Sequence, residues 1–519
     1  MTKSKFVMIW PPFLASNIFP LSIPFLVSYL KQKGVGDVEV YDMNIAYWKT
    51  IKPHWPLYML FRRGYGILKN SGPALSFVCD FIKGKMSEVL ENMETKGKGS
   101  IPWSLSDILT SLHQDGWLYE RNKIRLLLEP VFTKECPALA CISINYPEQI
   151  FFALTIAREL KEKWGDNIHI VAGGAQVTKH IGYLIKSEDV YRLIDFFVVR
   201  DGEEPLFRLI KGFANRDFSN IPNLYHKDPN KAGVYIFSGS HFCLYPEDFT
   251  VPDFSGFDMG VYDDIFPLIV SKGCPWGQCA FCSYSGMHDR KFYGGSVEKT
   301  LEVIRGMENK YGSSSFYFLD DALRPAFLRS LSESLVRNNI KISWTSSIIL
   351  SKEFEDPEFC RFLKQSGLRS VSFGLESVSR RLLKLMNKYH QDLDLEEIRK
   401  ILAVIKSGGI CISVCVFFGF PTETRQEAKA TLDFLLGNID LFDEVRMQTF
   451  CLEDLAPVFQ EPEKFKITKI YTQDKSVGRR LSYRFETTEG MTQEETFKFT
   501  NEALAIFQKA FKKKRHVEH

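Results

Sequence analysis

Cys274, Cys279 and Cys282 lie in one short loop, Gly273-Cys-Pro-Trp-Gly-Gln-Cys-Ala-Phe-Cys282. Three thiolates at a C-x4-C-x2-C spacing can hold three corners of an iron–sulfur cube and leave the fourth iron open to a substrate. A single zinc ion is the competing reading. Zinc wants four ligands, commonly two C-x2-C pairs. This loop supplies three, and His288, six residues past Cys282, is the nearest candidate for a fourth. Chance clustering of core cysteines fits less well, because Pro275 and Gly277 mark a turn. The other eight cysteines (Cys79, Cys136, Cys141, Cys243, Cys360, Cys411, Cys415 and Cys451) fall singly. Several stand in apolar runs, as the reduced, buried thiols of a cytoplasmic protein do, and they form no disulfide framework.

The elements around this loop alternate. From residue 263 to 450, apolar runs at Phe266–Ser271, Phe316–Leu319, Ile340–Thr345, Ser370–Gly374, Ile410–Phe418 and Val445–Cys451 are separated by helical patterns such as Glu298–Tyr311 and Leu395–Gly408. Six such steps predict an open β/α barrel with its chemistry at the carboxyl ends of the strands. The cysteines follow the first strand. Residues 1–230 alternate too, with strands expected at Phe6–Trp10, Val38–Asp42, Ala138–Asn145, Ile168–Ala172 and Phe196–Val199 and a helix at Gln149–Trp164. That pattern predicts a doubly wound parallel sheet, whose ligands bind outside the carboxyl ends of its strands. The loops there are Pro11-Pro12, Asp42-Met-Asn44, Ser143-Ile-Asn145-Tyr146, Gly173-Gly174-Ala-Gln176 and Arg200-Asp-Gly-Glu-Glu204. Residues 46 to about 130 read as a helical insertion, 231–262 as a linker, and 451–519 as a small α-rich region ending in a helix at Thr492–Phe511.

The 519 residues suffice for about three domains. A net charge of only +3 argues against a dedicated nucleic-acid binder, which would carry a basic stripe. The basic tail Lys512–Arg515 reads as a solvated terminus. Phe6–Leu30 carries no charge, but Pro11, Pro12, Pro20 and Pro24 break any continuous spanning helix, so no membrane segment is expected.

Three cysteines after the first strand of a β/α barrel resemble the radical S-adenosylmethionine (SAM) superfamily, although its commonest spacing, C-x3-C-x2-C, is one residue shorter. Phe281 matches the aromatic that lies by the SAM adenine in that superfamily. Phe318-Leu-Asp320-Asp321 ends the second strand, where the family approaches the SAM amino group. Ser372-Phe-Gly-Leu-Glu376-Ser377 ends the fourth, at the SAM ribose and carboxylate. Phe418-Gly-Phe-Pro-Thr-Glu-Thr424 follows the fifth. Each is weak alone, since Ser377 reads equally as a helix cap and Asp320-Asp321 as a helix-start pair. Their order at successive strand ends carries the resemblance, over about residues 265–440.

A doubly wound sheet ahead of such a barrel resembles the cobalamin-dependent subclass, in which Asn145, Gly173, Gly174 and Gln176 would face the cobalamin. No Asp-x-His-x-x-Gly motif marks a lower axial ligand to cobalt. A nucleotide-like domain without a ligand remains the alternative. Cys79, Cys136 and Cys141 lack cluster spacing, so the methylthiotransferase branch, with its second cluster, does not fit. The resemblance implies a [4Fe–4S] cluster on Cys274, Cys279 and Cys282, SAM on Phe281, Asp320, Glu376 and Ser377, and cobalamin in the first domain. It implies a methyltransferase of an unactivated carbon in a peptide or small-molecule natural product, acting through a 5′-deoxyadenosyl radical and methylcobalamin. An electron donor such as flavodoxin or ferredoxin would be its partner. Cyclisation, ring contraction or oxidation without methyl transfer, and a non-enzymatic iron–sulfur or cobalamin sensor, are the rival functions.

Overall fold

The computed structural model describes residues 6–12, 19–36, 38–51, 108, 118–213, 217–262, 264–472 and 482–517. Most of the expected helical insertion, and Cys79, lie outside these residues. Its described flanks are the helices Met43–Ile51 and Leu118–Leu127, joined where Tyr47 donates a 2.7 Å hydrogen bond to Glu120.

The first half forms a seven-stranded sheet: β1 (Phe6–Trp10), β2 (Val38–Asp42), β3 (Leu139–Ser143), β4 (His169–Gly173), β5 (Phe196–Val198), β6 (Leu224–Lys227) and β7 (Tyr235–Phe237). The strand order is 2-1-3-4-5-6-7. β1 to β5 pair in parallel, which suits runs such as Leu-Ala-Cys-Ile-Ser that are buried on both faces. The expected doubly wound parallel sheet is present over β1 to β5, and at its far edge β6 and β7 add an antiparallel pair. These two are only partly buried, and their alternation of Tyr225 and Lys227 with histidine suits an edge hairpin. The sheet thus runs past residue 230, and the irregular stretch that follows is shorter than the sequence pattern suggests. The order reverses between β1 and β3, where a doubly wound sheet opens a crevice at its carboxyl edge.

The second half forms a six-stranded open sheet of β8 (Phe266–Leu268), β11 (Ser315–Leu323), β12 (Ser343–Ile348), β13 (Leu368–Glu376), β14 (Cys411–Phe418) and β15 (Glu444–Thr449) in sequence order, every neighbouring pair parallel. Between its first two strands, β9 (Ser271–Lys272) and β10 (Tyr293–Gly294) form a short antiparallel ribbon that brackets the cysteine loop. Phe316, Phe318, Val371, Phe373, Ile412 and Val414 face outward under the helices. The residues between them line the concave face, and that lining is polar: Tyr317, Thr345, Ser347, Ser372, Ser413 and Arg446.

The two sheets share one core. Phe19 stacks on Tyr262 and Phe266 at centroid distances of 4.4 and 4.8 Å, and Phe266 stacks on Tyr311 at 5.5 Å. Each such pair contributes about 1 kcal/mol beyond its area burial. The C-terminal region, expected to be α-rich, carries a strand pair as well as its final helix. β16 (Ile467–Tyr471) and β17 (Arg484–Thr487) form an antiparallel ribbon before the final helix, Gln493–Val517, which sets Phe499 on Phe418. The described cysteines are all free thiols; of the scattered ones Cys141 and Cys360 are buried, whereas Cys411, in an expected apolar strand run, is exposed. No described helix is long and apolar enough to cross a membrane.

Candidate functional site

The cysteine loop turns because Gly273 and Gly277 adopt φ of +74° and +68°. A side chain at Gly273 would meet the Lys291 carbonyl at 2.2 Å. The loop is held from outside itself. Ala280 N–H donates to the Met386 carbonyl (2.8 Å), the Trp276 indole to the Asn387 carbonyl (2.7 Å), and the Arg290 guanidinium to the carbonyls of Gly277, Cys282 and Leu455.

Burial pushes the Cys279 thiol up to about 12 and raises Cys274 less, because the backbone amides of Gly277 and Trp276 donate to its sulfur. Amide donors aimed at a cysteine sulfur fit a thiolate that carries metal charge. Among the described residues, no three Cys, His, Asp or Glu side chains converge as the ligands of a single ion would. His288, the fourth ligand that a zinc site would need, instead lines a cavity on the first sheet.

The SAM-side candidates divide. Phe281 lies edge-on to Phe417 at 4.9 Å at the mouth of the barrel. Glu376 ends β13 at a break in register, with a left-handed φ of +61°, and its carboxyl takes a 2.7 Å ion pair from buried Lys388. Asp320 points beneath the cysteine loop. Its carboxyl accepts the Val270 amide at 3.2 Å and the Ser271 hydroxyl, and burial raises it to about 7. The next residue, Asp321, presents its side chain to the open cleft, where the surrounding protein still raises its carboxyl and it lies within electrostatic reach of His288, Lys179 and Cys274. Ser377 is fully buried and turned to Thr431 at 3.3 Å, away from the cleft.

In the strand-five loop, Glu423 folds inward onto the Gly419 amide. Burial raises its carboxyl to about 8. The folded state therefore holds a proton there that the unfolded chain releases near pH 4.5, so this contribution is complete below about 4.5 and is lost as pH rises to 8. Glu423→Gln is expected to flatten that part of the stability–pH profile and to exceed the wild type in urea unfolding at about pH 9.

On the first sheet, a cavity of about 230 Å³ opens at the carboxyl ends of β1, β3, β4 and β5. Asn145, Gly173 and Gly174 line it. Gln176 does not: it is buried behind the loop, its amide donating to the Asn145 carbonyl at 3.1 Å. The Asn145 side-chain amide donates to the Ser22 and Ser143 hydroxyls (3.0 and 2.9 Å), and its backbone N–H donates to the Gln149 side chain. Buried Gln149 also reaches the Pro11 carbonyl at 2.9 Å and so ties two of the carboxyl-edge loops together. Asp42 is spent on Tyr262 (2.6 Å) and the Ile45 amide.

The cavity and the cysteine loop meet. Lys272, two residues before Cys274, pairs with Asp201 at 2.6 Å, and Arg200 grips Asp289 with two bonds of 2.5 Å. Glu203 beside them lines the cavity with one carboxyl oxygen buried and unbonded, and burial holds its carboxyl above the usual range. Lys179, on the helix Ala175–Leu184, bonds Glu453 at 3.2 Å, and Glu453 accepts from Ser283 in the cysteine loop. Lys272 adjoins the motif and was legible there as a neighbour. Glu203 stood in the Arg200–Glu204 loop at a strand end, whereas Gln149 and Lys388 carried no local signal.

Residues 268–435 match the sequence profile of the Radical SAM superfamily. The chain is 28% identical over 295 residues to an uncharacterized methyltransferase of Pyrococcus horikoshii, PH0819, covering 55% of this chain and 61% of that protein. It is 27% identical over 181 residues to the bacteriochlorophyllide d C-12(1)-methyltransferase of Chlorobaculum tepidum, covering 34% and 38%. The matches thus span less than two thirds of these relatives' lengths. Among solved structures, the radical SAM methyltransferase TsrM of Kitasatospora setae, with cobalamin and a [4Fe–4S] cluster bound, superposes with a TM-score of 0.57 at 16% identity over 88% of this chain and 74% of that one. The cobalamin-dependent radical enzyme OxsB, with aqua-cobalamin and SAM bound, gives 0.63 at 14% identity over 97% and 66%. At these identities the likeness is one of fold. The open barrel that carries the three cysteines is therefore a radical SAM domain, set behind a doubly wound sheet in the layout of TsrM and OxsB.

Proposed function

We propose that this protein is a cobalamin-dependent radical SAM enzyme that methylates an unactivated carbon of a peptide or small-molecule substrate. The observation that carries the reading is the apposition of the two carboxyl-edge sites, joined through Lys272–Asp201 and Arg200–Asp289. The cavity on one sheet is bordered by Met287 and His288, which follow the partly buried cysteine loop on the other, an adjacency that transfer between two cofactors requires.

In this reading Cys274, Cys279 and Cys282 hold the cluster, and Phe281 with Phe417 covers the SAM adenine from water. Glu376 and Asp321 receive the polar groups of SAM. Asp320 and Ser377 act one layer back, Asp320 by fixing the strand before the cysteines and Ser377 by fixing the chain after Glu376. Asn145, Gly173 and Gly174 cradle the nucleotide tail of cobalamin in the 230 Å³ cavity, and Gln176 holds their loop. When bound, the cluster supplies the electron that cleaves SAM and cobalamin supplies a methyl carrier. The polar concave face, with Tyr317, Ser372 and Arg446, orients the substrate. A flavodoxin or ferredoxin is the fitting electron donor, and the free thiols fit the reducing cytoplasm.

Anaerobic purification with iron, sulfide and cobalamin assays, followed by mass spectrometry of SAM products, tests this. S-Adenosylhomocysteine in equal moles with a methylated product is expected. 5′-Deoxyadenosine without homocysteine product would assign the fold's chemistry to cyclisation or oxidation, and no SAM turnover by a fully loaded protein would make it a sensor.

A further inference from the structure

Lys388 is 5% exposed and lies in no sequence motif. Burial would strip its proton, but Glu376 at 2.7 Å reverses that and holds the charge well above the ordinary lysine range. The pair has been given room. A methyl group at Gly374 would stand 1.8 Å from the Glu376 carboxyl and 2.8 Å from the Lys388 ammonium. The Lys388 ammonium lies 5.4 Å from the ring centre of Phe281, between Ala280 and Cys282, and among charged groups it acts most strongly on Cys279.

The two residues before Lys388 carry the cysteine loop. Met386 accepts from Ala280, and Asn387, in a left-handed φ of +50°, accepts from Trp276 and donates to Gln278 at 3.3 Å. Other charges nearby are committed elsewhere. Arg290 bonds backbone carbonyls across the loop, and His390 is pushed down to about 3 by burial and the Lys388 charge, so it stays neutral.

We propose that Lys388 is a positioning residue whose fixed positive charge, seated by Glu376 against the cysteine loop, sets the electron affinity of the cluster held there. This rests on the reading of Cys274, Cys279 and Cys282 as cluster ligands. Reduction adds one electron from an external donor to the oxidised cluster, and a buried cation beside it favours the product. In a poorly screened interior the effect reaches the cluster with little loss. The Glu376 partner opposes it, so the two side chains have opposite influence.

The test is an electron paramagnetic resonance redox titration with dithionite on the anaerobically reconstituted full chain, with iron and sulfide counted first. Lys388→Met is expected to lower electron affinity about tenfold, a shift of 59 mV to more negative potential for one electron. Lys388→Arg is expected to match the wild type, and Glu376→Gln to shift the potential in the positive direction. A Lys388→Met protein at the wild-type potential, or Met and Gln variants moving the same way, would overturn the proposal. If Lys388→Met loads no iron, Glu376→Gln decides: a positive shift supports the proposal, and none or a negative one overturns it. A wild-type chain that binds no iron overturns the cysteine-loop reading itself, which is a different result from a loaded cluster indifferent to Lys388.

Discussion

Cys279→Ala is expected to leave the protein folded and strip it of iron. The side chain is 8% exposed, and the loop around it is held by bonds that do not involve the sulfur: Ala280 to Met386, Trp276 to Asn387, and Arg290 to three carbonyls. Removing one small buried group costs about 1 kcal/mol, so urea unfolding should change little. Two remaining sulfurs do not anchor a cubane against solvent and chelators. SAM cleavage should therefore fall at least about 100-fold, since loss of even an outer-shell partner costs a metal site 10–100-fold. Cys360→Ala is the control. Its thiol is fully buried in the helix Pro357–Gln365, far in sequence from the loop, and the variant should keep its iron. Iron content by colorimetry separates the two. Because burial raises the Cys274 and Cys279 thiols, metal loading must release protons, and reconstitution yield should rise with pH.

Gly174→Val should weaken cobalamin retention at least about tenfold and destabilise the first sheet. Gly174 has φ +107°, and a side chain there would stand 2.5 Å from the Ile144 carbonyl and 3.0 Å from Asn145 Oδ1. Valine is stiff at χ1 and cannot turn away. Holding a β-branched residue in this conformation costs about 3 kcal/mol, and the displaced atoms belong to the loop that lines the cavity. At about 1.4 kcal/mol per tenfold, even half of that strain expressed in the loop would lower cobalamin affinity about tenfold. Cobalamin absorbance after gel filtration, beside the urea midpoint, reads both effects. Cobalamin retained at the wild-type level by a folded Gly174→Val protein would remove the cavity from the site.

The strands, their order of appearance and the cysteine loop were legible because each is written in a short run of residues. Phe6–Trp10, Val38–Asp42 and the six barrel strands are local apolar runs, and their ends were misplaced by a few residues at most. The β6–β7 hairpin and the β16–β17 ribbon were missed because their residues are half-buried and mixed, so neither periodicity nor composition marks them. Within the site, the motif Phe318-Leu-Asp-Asp321 was legible but not which carboxyl would face the cleft. β11 alternates its side chains, and one step of register sends Asp320 under the loop and Asp321 into the open. Ser377 and Gln176 likewise sit at the right strand ends but turn to Thr431 and to the Asn145 carbonyl.

The spacing of three cysteines, and the glycines that let their loop turn, determined by themselves that this chain carries a loop of three closely spaced thiols on a β/α scaffold, because ligand spacing and positive φ are properties of consecutive residues. Only the tertiary structure decided what surrounds that loop. Lys388 reaches it from more than a hundred residues away, Lys272 links it to Asp201, and Glu453 closes it against Lys179. A buried charge finds its partner through the packing of whole elements, and one sequence contains no measure of that distance.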